Sequence, residues 1–192
     1  IVDRPLLDID IRDLEIGVVG GESVLYGTTG PAGGLVAYSI SETGGLLQDL
    51  NSRFFDGSMG EGSGGFVELI EINGETQILF GGGASDGLLY NGVSSGNGAL
   101  TSLTSGLSLS GPVDRITDGV GTTIGGDSVV YVADADLGRI TAYSQNGSES
   151  YGSIDIEFVG QGEIHLAMGQ AGGSQYLIST DLEANLIAAY RI

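Results

Sequence analysis

The 192-residue sequence contains no cysteine, no tryptophan and a single histidine, and each absence excludes a kind of site. Without cysteine the chain forms no disulfide, no Cys-ligated zinc or iron–sulfur centre and no thiol nucleophile. Because His165 is the only histidine, a metal site built from several histidines is excluded, as is any Ser-His-acid triad that does not use this residue. No apolar run approaches about 18 residues, so the sequence predicts no membrane-spanning helix.

Basic residues are scarce. The sequence has 6 Lys and Arg against 25 Asp and Glu, which gives a formal net charge of −19 at pH 7. A chain this acidic is repelled by phosphate backbones and anionic membrane surfaces, so nucleic-acid binding and membrane insertion are not expected. The expected partners are cations, a protein or glycan ligand, or other subunits of a larger assembly.

Helical patterns are missing as well. No window of about 12 residues has the apolar spacing of a helix without an interrupting glycine. Glycine itself is abundant, with 36 residues, while 41% of the chain is hydrophobic and spread along its length. The composition therefore predicts a folded, all-β protein, and the length predicts one domain over residues 1–192. The start at Ile1 is expected for a processed end or for a sequence that begins inside a longer protein.

A two-part unit recurs four times along the chain. Each copy has a short apolar run, a turn containing Gly or Asp, and a second apolar run that ends in an aromatic residue. The period is about 50 residues, which is typical of repeat folds. The copies are Ser23–Tyr38, Gln77–Tyr90, Ser128–Tyr143 and Gln175–Tyr190.

Further strand-like runs precede and follow these units, so each repeat contains about four short strands joined by Gly-rich turns. This pattern predicts a β-propeller built of four-stranded antiparallel blades. The predicted blades are 6–55, 64–110, 113–159 and 162–192, the last completed by residues 1–5. Two arrangements stay open: a closed four-bladed ring, or part of a ring of about seven or eight blades completed by a second copy or by further sequence. A β-sandwich is the alternative fold.

The turns inside the units hold the clearest candidate metal ligands. Asp134 and Asp136 lie two residues apart before Gly138, and Asp86 and Asp181 occupy the same turn in other copies. Oxygen-rich loops suit Ca²⁺, so these four aspartates predict a calcium site. The alternative is that the carboxylates only shape the turns through hydrogen bonds to nearby backbone amides.

Two of the copies carry a family resemblance. Ser128–Tyr143 (SVVYVADADLGRITAY) and Ser23–Ser39 (SVLYGTTGPAGGLVAYS) resemble blades of the acidic, Gly-rich, propeller-like N-terminal regions of bacterial hemolysin-type (RTX) calcium-binding proteins. The resemblance implies a secreted or cell-surface bacterial protein. No nucleophile and base are predicted to converge, so we expect a non-catalytic interaction or adhesion scaffold rather than an enzyme.

The alternative function is a calcium-dependent propeller hydrolase, because the sequence is more distantly similar to lactonase-type and phytase-type propellers. In this hypothesis acids at the blade entries converge on the central channel and hold Ca²⁺, with Asp10, Glu68 and Asp118 as candidates. His165 falls in a run, 164–168, that is predicted to be a channel-side strand. It either lines this central site or is a hydrogen-bonded structural residue.

Overall fold

Every regular element in the described part of the chain is a β-strand. The computed structural model describes residues 11–29, 34–54, 65–72, 74–81, 87–108, 115–145, 151–158 and 162–192. The first two sheets contain β1 (Ile11–Val19), β2 (Glu22–Thr29), β3 (Gly34–Ile40), β4 (Leu46–Asp49), β5 (Arg53–Phe54), β6 (Phe66–Ile72), β7 (Glu75–Gly81), β8 (Gly87–Val93) and β9 (Leu100–Ser108). The other two contain β10 (Ile116–Ile124), β11 (Asp127–Asp134), β12 (Arg139–Gln145), β13 (Tyr151–Phe158), β14 (Ile164–Ala171), β15 (Ser174–Asp181) and β16 (Leu186–Arg191).

Each sheet is an antiparallel meander in which strands follow one another in chain order. The orders are β1-β2-β3-β4 with β5 paired to β3, then β6-β7-β8-β9, β10-β11-β12-β13 and β14-β15-β16. This architecture confirms the all-β prediction and the β-propeller built of antiparallel blades. Residues 1–5, which were predicted to complete the fourth blade, lie outside the described residues.

The first strands of the four sheets lie side by side, with contacts from β1 to β6, from β6 to β10 and from β10 to β14. Apolar side chains fill the space between each sheet and the next. Tyr26 and Phe80 pack in the first of these cores, Phe66 and Tyr143 in the second, and Tyr131 in the third. Consecutive blades are therefore held face to face around the edge formed by their first strands.

Two glycines in β10 allow the second and third blades to approach closely. A Cβ atom at Gly119 would lie 2.5 Å from the ring of Phe66, and one at Gly121 would lie 2.3 Å from Ile70. Both distances are too short for a real side chain, so bulky residues of β6 occupy the space that these glycines leave free.

The alternation of side chains separates two aromatic residues that the repeat pattern aligns. Tyr26 packs towards the second blade, whereas Phe80, on the second blade, packs back towards the first. Leu79, one residue earlier, packs forwards against the third blade. Because a shift of one residue reverses the face of a strand, Leu79 is the structural counterpart of Tyr26.

Large apolar side chains are exposed at the two ends of this row of blades. The exposed large apolar residues in the described part of the chain are Leu14, Ile16, Val18, Leu182, Leu186 and Ile187. Five of them lie on strands of the first and fourth sheets, and Leu182 lies in the turn between β15 and β16. No helix in the described ranges is long and apolar enough to span a bilayer.

A candidate active site between the inner strands

Carboxyl side chains from the first strands of three successive blades come close enough to influence one another. Glu68 on β6 is affected by the charges of Glu15 and Asp13 on β1 and of Asp118 on β10. Carboxylates repel one another, and nearby like charges favour the protonated form. The first strands therefore form an axial carboxyl cluster, which we define as Asp13, Glu15, Glu68 and Asp118.

Asp13 and Asp118 occupy matching positions. Each follows a register irregularity in its strand, between Ile11 and Asp13 in β1 and between Ile116 and Asp118 in β10. Such an irregularity re-aims the side chain that follows it. Both aspartates are thereby placed at the same level of the first strand of their blade.

Each of these aspartates connects its blade to the next. One oxygen of Asp13 accepts a bond from the backbone amide of Leu14 at 2.9 Å, and the other accepts from Val67 of β6 at 2.9 Å. Asp118 accepts from Gly119 at 2.7 Å and from Leu166 of β14 at 2.7 Å. Because all four donors are backbone amides, both carboxyl groups are held in fixed orientations.

Glu68 is the most strongly perturbed carboxyl group of the cluster. Its pKa is raised to about 8, chiefly by burial and further by the charges of Glu15, Asp118 and Asp13, despite a hydrogen bond from the Gly121 amide that lowers it. At neutral pH this side chain therefore carries a proton. The cluster thus holds a neutral carboxylic acid next to ionisable ones, first because burial removes the hydration that a charged Glu68 would need and second because its ionisation would add a negative charge beside Glu15 and Asp118.

Asp118 is perturbed in the same direction by a different balance. Burial raises its pKa to about 6, the amide bonds from Leu166 and Gly119 lower it, Asp13 raises it and His165 lowers it. The net shift of the pKa is upward because the loss of hydration destabilises the carboxylate more than the two amide hydrogen bonds stabilise it. Asp118 therefore exchanges its proton in mildly acidic solution.

Asp118 and Asp13 line an open cavity of about 200 Å³. The other residues around it are Arg12, Gly65, Phe66, Thr117, Glu163 and His165. At its edge His165 places Nδ1 3.8 Å from Asp118 Oδ2 and Nε2 3.9 Å from Glu163 Oε1. A cavity lined by convergent polar groups with perturbed ionisation is the usual form of a binding or catalytic site.

The chemistry available here is acid–base chemistry. The pKa of Asp118 is about 6, so both its protonated and its ionised forms are populated in mildly acidic to neutral solution. Asp13 lines the same cavity and presents a second carboxyl group. Two carboxyl groups with different environments are the pair that many glycosidic-bond-cleaving sites require.

The structure brings together two of the three acids that were predicted for the central channel. Glu68 and Asp118 lie in the axial cluster, while Asp10 lies outside the described residues. His165 lines the cavity next to Asp118, as the channel-side alternative predicted. No group of three His, Asp or Glu side chains placed to hold a metal occurs among the residues that the structure describes.

Sequence reasoning missed Asp13, Glu15 and Glu163. One signal was available: Ile11-Arg12-Asp13 and Ile116-Thr117-Asp118 share the pattern Ile-x-Asp at the start of equivalent strands. This pattern lies upstream of the repeated units, which begin at Ser23 and Ser128 on the second strand of their sheets.

The aspartates predicted to bind Ca²⁺ in the turns have backbone or ionic partners. Asp134 accepts from the Leu137 amide at 3.0 Å, and Asp181 accepts from Ala184 at 2.9 Å. Asp136 forms an ion pair of 3.0 Å with Arg115. The bonds to Asp134 and Asp181 are the turn-shaping bonds of the alternative interpretation, whereas the ion pair of Asp136 joins the turn to Arg115. Asp86 lies outside the described residues, and Ca²⁺ at these turns stays a prediction.

Comparisons with known proteins identify the fold. No protein-family model and no curated protein matches the chain. Among solved structures, a GH43_1 enzyme from Xanthomonas citri matches with a TM-score of 0.65 and 11% identity over 93% of this chain and 67% of its own. CoXyl43, a β-xylosidase/α-arabinofuranosidase from a compost microbial metagenome, matches with a TM-score of 0.65 and 11% identity, covering 93% of this chain and 68% of its own. An α-L-arabinanase from Penicillium chrysogenum matches with a TM-score of 0.65 and 13% identity, covering 96% of this chain and 57% of its own. The chain thus spans about two thirds or less of their lengths.

These matches overturn the predicted RTX resemblance and the predicted non-catalytic scaffold. The matching structures are glycoside hydrolases, and no family model supports hemolysin-type proteins. The two segments that carried the resemblance, Ser23–Ser39 and Ser128–Tyr143, consist of apolar strands and Gly-containing turns. Those features satisfy the geometry of propeller blades in general, so they do not identify one family.

Proposed function

We propose that this protein is a propeller hydrolase that binds a glycan in the axial cavity and cleaves a glycosidic bond there. The observation that carries the proposal is that Asp13 and Asp118 line one cavity, with Asp118 poised to exchange a proton. Support comes from the matching structures, which include complexes with xylose, xylotriose and arabinobiose. Pentose-containing glycans are therefore the first substrates to try.

Within this proposal Asp118 is the proton donor. Protonated Asp118 gives its proton to the glycosidic oxygen as the bond to the anomeric carbon breaks, so the leaving sugar departs as an alcohol. Water forms the new bond to the anomeric carbon, and the proton that it loses passes to the carboxylate of Asp13 in the same cavity. Asp13, fixed by the amides of Leu14 and Val67, supplies negative charge that stabilises the positively charged sugar in the transition state. Glu68 stays protonated behind them, which limits the negative charge next to Asp118.

The test is hydrolysis of aryl xylosides, aryl arabinofuranosides, xylan and arabinan by the wild-type chain. We expect turnover of at least one substrate, with a rate that falls above a pH of about 6 as Asp118 loses its proton. Asp118→Asn should reduce kcat by about 100-fold or more, because a positioned acid contributes that much. Asp127→Asn, at an exposed hairpin turn, is the matched control and should leave kcat unchanged.

Asp118→Asn also alters an inter-blade hydrogen bond, so folding must be checked separately. Circular dichroism and urea unfolding of each variant show whether the fold is retained. If a folded wild-type chain hydrolyses none of these substrates and NMR titration with xylotriose and arabinobiose detects no binding, the proposal is wrong.

A further inference from the structure

We propose that His165 is the proton relay that returns a proton to Asp118 after each turnover. This inference rests on the proposed function, because it assigns a role within the same cavity. Its basis is geometric: only 17% of the Asp118 side chain is exposed, and His165 Nδ1 lies 3.8 Å from its Oδ2. An acid that gives up a proton in a site closed by bound substrate needs a neighbour through which the proton returns.

Other contacts of Asp118 do not provide that route. Its two oxygens accept bonds from the backbone amides of Gly119 and Leu166, which do not exchange protons as acids. The nearby Thr117 hydroxyl donates to the carbonyl of Ile164 at 2.8 Å. The imidazole is therefore the group beside Oδ2 whose chemistry suits proton transfer near neutral pH.

The side chains next to Asp118 become steadily more exposed towards solvent. His165 is 47% exposed, and its Nε2 lies 3.9 Å from Oε1 of Glu163, which is 61% exposed. Both separations exceed a direct hydrogen bond and match transfer through one water molecule or after a small side-chain rotation. Asp118, His165 and Glu163 thus form a path from a partly buried acid to bulk solvent.

The proton balance is simple. After donating to the leaving sugar, Asp118 is a carboxylate, and the imidazolium of His165 gives its Nδ1 proton to Oδ2. The neutral imidazole keeps its Nε2 proton and regains a proton at Nδ1 from solvent water after a small rotation of the ring away from Oδ2. No electron is transferred and no other reactant is required.

Charged groups from every neighbouring first strand face this pair. Those around the cavity or electrostatically coupled to it are Arg12 and Asp13 on β1, Glu68 on β6, and Glu163 before β14. Apart from Arg12 they are acids. Removing the imidazole therefore leaves no other described histidine or lysine to carry protons to Asp118.

The experiment compares His165→Ala and His165→Gln with the wild type and with Asp127→Asn on the best glycoside substrate. We expect kcat to fall by about tenfold or more above a pH of about 6, where solvent protons are scarce, with KM changed by less than about twofold. Added imidazole should restore kcat in His165→Ala, whereas sodium chloride at equal ionic strength should not. Wild-type kcat in His165→Ala, or no rescue by imidazole, would overturn the relay.

A second measurement separates failure of the relay from failure of the proposed function. If the wild type is inactive on every glycoside, the function is wrong, and the pair is tested by carbon-13 NMR of the Asp118 carboxyl group. Because His165 lowers the pKa of Asp118, that carboxyl should titrate at higher pH in His165→Ala than in wild type or Asp127→Asn. An unchanged titration curve would show that the two side chains are not coupled and would overturn the relay.

Discussion

Replacing Glu68 by glutamine should make the protein more stable, and increasingly so as the pH rises. Folding raises the pKa of Glu68 from 4.5 to about 8, chiefly through burial and through repulsion from Glu15 and Asp118. Each pH unit between those values costs the folded state about 1.4 kcal/mol relative to the unfolded state. The full cost is therefore about 5 kcal/mol at most, reached once Glu68 is ionised in the folded chain.

The direction follows from proton binding. The folded state binds the proton of Glu68 more tightly than the unfolded state, so the stabilising contribution is complete below pH 4.5. It is lost progressively as the pH rises through about 8. Glutamine does not titrate and keeps a carbonyl oxygen to accept the Gly121 amide, so its stability lacks this decline.

Urea unfolding of wild type and Glu68→Gln at pH 5, 7 and 9, chosen as points roughly across this window, measures the effect. The free-energy difference between the two should grow by several kcal/mol from the lowest to the highest pH. Asp127→Asn, at an exposed turn, is the control for the general repulsion of an acidic chain and should show almost no such growth. A difference between wild type and Glu68→Gln that does not depend on pH would refute the buried, proton-carrying state of Glu68.

Three other substitutions test the packing and the turns. Gly119→Ala places a methyl group against the ring of Phe66 and should lower the free energy of unfolding by about 1–3 kcal/mol in urea titrations; unchanged stability would contradict the close seam between the second and third blades. Tyr26→Phe leaves the carbonyl of Gly98 without the 2.8 Å bond from the buried hydroxyl, a loss of about 1–3 kcal/mol by the same assay, and a neutral effect would argue against that bond. Asp134→Ala removes a turn-closing carboxylate and should lower the free energy of unfolding by about 1–2 kcal/mol when a calcium chelator is present. The predicted calcium site would then appear as a rise in melting temperature on adding Ca²⁺ to wild type that is absent in the variant.

The repeat in the sequence was sufficient to predict the architecture. Short apolar runs such as 128–132 and 139–143, separated by a short turn, match the antiparallel pair of β11 and β12, and the first run is continuous because both faces of its strand are buried. Glycine at turns such as Gly125 and Gly126, where φ is positive, supplies the backbone geometry that other residues avoid. These are local properties, so they can be recognised without knowledge of the fold.

The candidate site depends on contacts between blades that local patterns do not encode. Glu68 and Asp118 were predicted as acids at blade entries, but their unusual ionisation arises from burial and from residues on other blades. Asp13 escaped notice because its partner, the Val67 amide, is 54 positions along the chain. Repulsion between charges and loss of hydration depend on distances in the folded structure. These distances cannot be inferred from the separation of residues along the chain.

The amino-acid sequence by itself therefore determined the strands, the turns, the acidic character and the antiparallel blades. Only the tertiary structure decided which of the 25 acidic residues face one another. It did so because the close seam at Gly119 and Gly121 and the irregularities before Asp13 and Asp118 set the positions of neighbouring first strands. Alternation along a strand is local, whereas the meeting of carboxyl groups at one cavity results from the packing of whole sheets.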